Sequence, residues 1–126
     1  MLPYLLIFLG GGTGAVARYG VSTLMGTKFG TDFPWGTLTV NLIGAFLIGL
    51  FVEIAALRWQ TTHHLLTLLL VTGFLGGFTT FSAFSLEAAL MWQKGDFLNL
   101  AAYIGVSVIG TVALVRLAAV AVRVLA

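Results

Sequence analysis

Apolar residues run along the chain in four long windows, separated by short polar connections. The first window is Leu2 to Met25, with Arg18 inside it. The second is Trp35 to Leu57, with Asn41 near its start and Glu53 near its end. The third is Leu65 to Trp92 and the fourth is Leu98 to Val122. A helix that crosses a bilayer needs about 20 mostly apolar residues, and each window meets that length. The connections are Gly26–Pro34, Arg58–His64 and Gln93–Phe97, and they hold Lys28, Asp32, Arg58, Lys94 and Asp96. Trp35, Trp59 and Trp92 stand at window ends, where amphipathic rings prefer the headgroup layer. The pattern predicts an all-α integral membrane protein, a single domain over residues 1–126 with four transmembrane helices. It leaves no room for a soluble domain and shows no internal repeat.

Composition sharpens that reading. Hydrophobic residues make up 60% of the chain and charged residues 8%, against about 25% charged in soluble domains. Soluble globular and disordered classes are therefore excluded. So is nucleic-acid binding, because the six basic residues are spread along the chain and not gathered on one face. The absence of cysteine removes disulfides, thiolate metal sites and cysteine nucleophiles. Two local patterns invite other readings. An apolar run followed by Ala15-Val16-Ala17 resembles a signal peptide, but no basic stretch precedes it, so the segment is expected to stay as a span. Gly12-Thr13-Gly14-Ala15-Val16-Ala17, with Asp32 further on, mimics a dinucleotide fingerprint, yet nothing downstream supplies the βαβ unit that motif requires. Gly10 and Gly14 instead read as a G-x-x-x-G pair that lets helices approach closely.

Orientation follows the lysines and arginines that flank the spans. With four spans, one side receives Arg58, Arg116 and Arg123, and the other receives Arg18, Lys28 and Lys94. The count is tied. A tie is compatible with insertion in both orientations and an antiparallel homodimer, or with one weakly biased orientation.

The third window is the informative one. Gly73, Gly76 and Gly77 are followed by Thr79 and Thr80 near the middle of 28 residues. A straight helix of that length would measure about 42 Å, well beyond a hydrocarbon core of about 30 Å. The spacing predicts a break near Gly76–Thr80. Unwound backbone at membrane depth must be buried in protein or line a polar cavity. Phe81 and Phe84 follow, three apart and so on one helix face. Such pairs usually serve packing. Here Thr79, Thr80, Ser82 and Ser85 crowd around them. Ring edges are electropositive, so edges and hydroxyls together suit an anion that sheds water.

Other polar residues inside the windows are fewer. Asn41 offers two amide N–H donors, either for an ion or for an interhelical hydrogen bond. Arg18, Glu53 and Glu87 are ionisable groups in or near spans and count as functional candidates. Arg18 fits a pore mouth that concentrates anions. Glu87 shares the Phe84 face, and Glu53 reads as interfacial. Tyr103, Ser107 and Thr111 recur every four residues and form a polar stripe on the fourth window. His63 and His64 lie in a connection and do not make a metal site.

Gly73-Phe74-Leu75-Gly76-Gly77-Phe78-Thr79-Thr80-Phe81-Ser82-Ala83-Phe84-Ser85-Leu86-Glu87 resembles the signature of the Fluc/CrcB fluoride channel family. Trp35-Gly36-Thr37-Leu38-Thr39-Val40-Asn41 and the glycine-rich stretch from Gly11 to Arg18-Tyr19 resemble it too, so the likeness covers essentially the whole chain. The third-window motif is highly specific. Ala83 stands where a threonine is expected, and Phe78 where a smaller or aliphatic residue is. The resemblance implies a passive fluoride-selective channel that exports cytoplasmic fluoride, not an enzyme, in the inner (plasma) membrane. It implies an antiparallel dual-topology homodimer with two fluoride pathways. A structural sodium ion at the dimer axis would be held by backbone carbonyls of Gly76 and Thr79. Phe81 and Phe84 would line the fluoride route with ring edges, and Asn41 would donate to the ion or orient the rings. Thr80, Ser82, Tyr103 and Ser107 would form the polar track, and Arg18 and Glu87 would lie toward vestibules.

Rival readings make different demands. A small dual-topology proton-coupled multidrug transporter needs a carboxylate deep in the bundle, and neither Glu53 nor Glu87 is expected at mid-span. A membrane enzyme such as a small lipid kinase needs acidic residues for magnesium and a nucleotide-phosphate cradle, against four scattered carboxylates. A structural subunit without transport predicts that Phe81 and Phe84 tolerate leucine.

Overall fold

The fold was analysed in a computed structural model that describes residues 1–58 and 63–126. Trp59 and the rest of the segment 59–62, where a span end was expected, lie outside the described residues. The described chain is helical nearly throughout, with no strand among the described residues. Helix α1 runs Leu2–Phe29 and α2 runs Trp35–Arg58. Next come α3 (His64–Thr67), a π-helical segment (Leu68–Leu75) and α4 (Gly76–Phe78), which follow one another without interruption. Thr79 and Thr80 are extended. Helix α5 (Phe81–Lys94) follows, and α6 (Phe97–Leu125) completes the chain. The expected interruption of the third window thus falls at Thr79–Thr80.

Three helical stretches are long and apolar enough to cross a membrane: Trp35–Arg58, His64–Lys94 and Phe97–Leu125. Helix α1 is long enough at 28 residues. Its apolar character is diluted by glycines, Thr13 and Arg18. It also continues past Met25, so Gly26, Thr27 and Lys28 belong to the helix rather than to the connection. At the other connection Gly95 adopts a left-handed conformation (φ 74°) and ends α5, a position where a side chain would be strained.

The helices pack in alternating directions. Gly10 of α1 lies against Leu69 and Gly73, and Gly14 lies against Phe74 and Phe78, so α1 runs parallel to the third stretch. A Cβ at Gly14 would run into the Phe74 carbonyl, which is why this α1 face is glycine. Likewise α2 runs parallel to α6. Gly110 lies against Leu42, Gly49 against Val115 and Ala118, and Glu53 pairs with Arg123 at 2.6 Å. Leu38, Met91, Leu100 and Tyr103 form the buried cluster that ties α2, α5 and α6 together. The core is thin, and many large apolar side chains, such as Phe8, Ile109 and Val124, are exposed on the outer faces. That is the surface of a protein whose solvent is lipid.

Candidate functional site

The interruption at Thr79–Thr80 organises everything around it. In a continuous helix the Thr80 N–H would donate to the Gly76 carbonyl. Here it donates to Asn41 Oδ1 at 2.8 Å, and Asn41 Nδ2 donates to the Thr80 carbonyl at 2.9 Å. One side chain from α2 therefore pairs both backbone groups of Thr80, as a neighbouring strand would. Thr79 satisfies the end of the preceding helix: its N–H and its hydroxyl both donate to the Leu75 carbonyl, at 3.0 and 2.9 Å. Thr80 opens the next helix, its Oγ1 accepting from the Ala83 N–H at 3.1 Å. That is the N-cap role for which threonine is suited. Arg18 Nε donates to the Gly77 carbonyl at 3.1 Å. The Gly76 carbonyl is left without the donor that a continuous helix would give it.

Two cavities flank this interruption, and Thr80 lines both. The larger, about 670 Å³, is bordered by α1, α2, α5 and the connection 30–34. Its walls include Arg18, Asp32, Thr37, Glu87 and Lys94. Within it Glu87 is bound on both oxygens, by the Thr37 hydroxyl at 2.8 Å and the Tyr103 hydroxyl at 2.6 Å. The smaller cavity, about 420 Å³, is a groove between the interruption and α6, lined by Asn41, Thr79, Phe81, Phe84, Ser107 and Thr111 among others. Among the described residues, no charged one lines it. The Phe81 and Phe84 ring centroids are 5.5 Å apart, and Phe84 in turn packs on Tyr103 at 5.0 Å. Phe84 is half-buried, whereas Phe81 is 78% exposed.

The groove gathers most of the residues singled out in the sequence: Asn41, Gly76, Thr79, Thr80, Phe81, Phe84 and Ser107. Arg18 and Glu87 line the larger cavity instead. Tyr103 lines neither, being fully buried with its hydroxyl on Glu87. Ser82 also lines neither, and its hydroxyl lies 3.2 Å from Thr80 Oγ1. The polar stripe on α6 therefore divides by fate. Tyr103 serves Glu87, and the Thr111 hydroxyl bonds the Ser107 carbonyl of its own helix at 2.6 Å. Ser107 Oγ is buried and has no hydrogen-bond partner among the described residues. Thr37 is the residue that sequence reasoning passes over. Its signal was its spacing of four from Asn41, which places both on the α2 face turned toward the interruption.

Residues 5–119 match the family described as CrcB-like protein, Camphor Resistance (CrcB). A Rhizobium etli protein named Fluoride-specific ion channel FluC is 48% identical over 108 residues, 86% of each chain. A protein of the same name from Rhizobium leguminosarum bv. trifolii is 49% identical over 96 residues, 76% of each chain. One from Granulibacter bethesdensis is 46% identical over 126 residues, 99% of this chain and 98% of that relative.

Proposed function

Because the chain belongs to the CrcB-like family, we propose that it is a passive fluoride channel whose ion path is the uncharged groove beside the interruption. The observation that carries the path is the Ser107 hydroxyl, buried, unpartnered and at the groove wall. A buried polar group without a partner is rare and costly unless something else meets it. An anion stripped of water is such a partner, and a hydroxyl can donate to it. The second N–H of the Asn41 amide, outside the clamp on Thr80, is another donor. Phe81 and Phe84 supply electropositive ring edges. Fluoride is the smaller and more strongly hydrated halide, so its selection over chloride needs a narrow path whose donors replace the water that fluoride sheds.

No energy coupling is needed. Hydrogen fluoride enters uncharged and ionises inside, and a membrane potential negative inside drives anion exit by about 2.3 kcal/mol per charge per 100 mV. A channel, not an enzyme, meets that demand.

The reading extends to assembly. The α1 helix serves as the fourth span, and the protein works in the inner membrane as an antiparallel dual-topology homodimer. The 78% exposure of the Phe81 ring supports this, because a ring that borders an ion path needs a second wall. Two copies give two pathways. The Gly76 carbonyl, deprived of its helical donor, and the Thr79 carbonyl would hold a structural sodium ion between the copies.

Purified protein in liposomes loaded with fluoride, followed with an ion-selective electrode, tests the function. Fluoride efflux with negligible chloride efflux is expected. Efflux no faster than from protein-free vesicles, or equal for the two halides, overturns it. Binding of organic cations in place of fluoride flux would favour a multidrug transporter.

A further inference from the structure

We propose that Arg18 is a positioning residue for the interruption, holding the Gly77 carbonyl in place, rather than chiefly a collector of anions. The sequence suggests only the second role. The geometry points to the first.

Helix α1 presents Gly10, Gly14 and Arg18 at intervals of four, and so on one face, with Gly11 beside them. Gly10 and Gly14 bring the α1 backbone against the π-helical segment and α4. Gly77 sits on Gly11 so tightly that a Cβ there would strike the Gly11 carbonyl. The glycines thus fix the distance between the two backbones, and Arg18, one turn beyond Gly14, reaches across to the next polar group.

That group is the Gly77 carbonyl, accepting from Nε at 3.1 Å. In an unbroken helix it would accept from the Phe81 N–H. Because Thr79 and Thr80 are extended, Phe81 begins a new helix and that donor is lost. A carbonyl released at membrane depth needs another donor. Asn41 pairs both backbone groups of Thr80, and the Thr80 hydroxyl accepts from the Ala83 N–H. For Gly77 the donor comes from α1. Arg18 forms no ion pair among the described residues, although Glu87 lines the same cavity. Among the described residues its one side-chain hydrogen bond is this one. The contact is also directional: it engages Nε, the nitrogen fixed within the side chain, and not the terminal amino groups.

The experiment separates donor from charge. In Gln, Nε2 stands the same number of bonds from Cα as Nε does in Arg. Arg18→Gln therefore keeps an N–H at that place and removes the charge. Arg18→Met keeps the length and removes both. Selective labelling with 13C-carbonyl glycine and 15N-phenylalanine marks two peptide bonds in the chain, Gly73–Phe74 and Gly77–Phe78. Solid-state NMR of the protein in lipid then reads the Gly77 carbonyl, with Gly73 as internal reference. The expected result is a Gly77 carbonyl shift that Arg18→Gln retains and Arg18→Met loses. In liposomes, fluoride flux through Arg18→Gln should exceed that through Arg18→Met by about tenfold, the scale of one lost buried hydrogen bond.

Equal loss of flux in the two variants, or a Gly77 shift altered as much by Gln as by Met, overturns the proposal and leaves charge as the role. If Arg18→Met does not fold, the wild type and Arg18→Gln still decide it. The Gln variant must keep the Gly77 shift, and its loss refutes the assignment. The flux arm rests on the channel reading; the NMR arm does not. A wild type without fluoride flux but with the expected shifts would sink the channel and keep the positioning role.

Discussion

The two cavities beside the interruption are built on opposite principles. In the larger one Arg18, Asp32, Glu87 and Lys94 share the walls, and two of them, Arg18 and Glu87, are engaged with protein partners. Charges of both signs in an open space keep water with them, and an ion there need not lose its own. The groove has no charged wall residue, two phenyl rings and a hydroxyl that bonds nothing in the protein. An ion entering it must exchange water for whatever the wall provides. The contrast shows where selection can occur. Formal charge gathers ions, but it attracts every halide alike. A neutral wall with few fixed donors can rank them by size.

The most severe way to break this contrast is to remove the rings. Phe84→Ile and Phe81→Ile should each abolish fluoride flux in liposomes while the protein elutes as before in detergent. Full flux in both would show that the groove needs apolar bulk and not ring edges. Next comes the clamp. Asn41→Leu deprives both backbone groups of Thr80 of a partner and should lower stability in thermal unfolding by about 2 kcal/mol or more. Asn41→Asp sets a carboxylate against the Thr80 carbonyl and should cost at least as much. The contrast itself is sharpened by a pair on α6. Tyr103→Phe removes a donor from Glu87 and should cost about 1 kcal/mol of stability. Ser107→Ala removes a hydroxyl with no protein partner. It should leave stability within about 0.5 kcal/mol and reduce fluoride flux about tenfold, as expected for one hydrogen bond to a charged group. If Ser107→Ala lowers the melting temperature and spares the flux, Ser107 belongs with Tyr103 and the groove loses its donor. Smallest of all, Glu53→Gln breaks the ion pair with Arg123 at the far end of the bundle. Surface pairs contribute little, and both flux and melting temperature should stay unchanged.

Much of the architecture was legible in the sequence. Hydrophobic windows of bilayer length become helices because nothing else satisfies backbone groups in lipid. An overlong third window rich in glycine announced its own interruption. The sequence narrowed its place to Gly76–Thr80; the choice of Thr79–Thr80 within that stretch was not readable, because it is set by Asn41, 39 residues away, pairing with Thr80. The π-helical turns of Leu68–Leu75 left no mark in composition: Leu-Leu-Leu-Val-Thr-Gly-Phe-Leu suits an α-helix as well. Glu87 was expected on the Phe84 face; it lines the larger cavity while Phe84 lines the groove, and of its two hydroxyl donors, both from other helices, only Tyr103 stood out in the sequence. The α6 stripe shows the limit most clearly. Ser107 and Thr111 are one turn apart with like chemistry, yet one bonds its own helix and the other bonds nothing. Periodicity assigns a face; it does not say which hydroxyl finds a partner.

The extended pair Thr79–Thr80 has an electrical consequence. A helix carries roughly half an elementary charge at each end, positive where its amides are unpaired and negative where its carbonyls are. The interruption sets the negative pole of the helical run ending at Phe78 two residues from the positive pole of α5. One uncharged stretch of backbone thus offers opposite fields to its two sides. A cation is welcome at one side and an anion at the other, and no lysine or aspartate has to be buried for either.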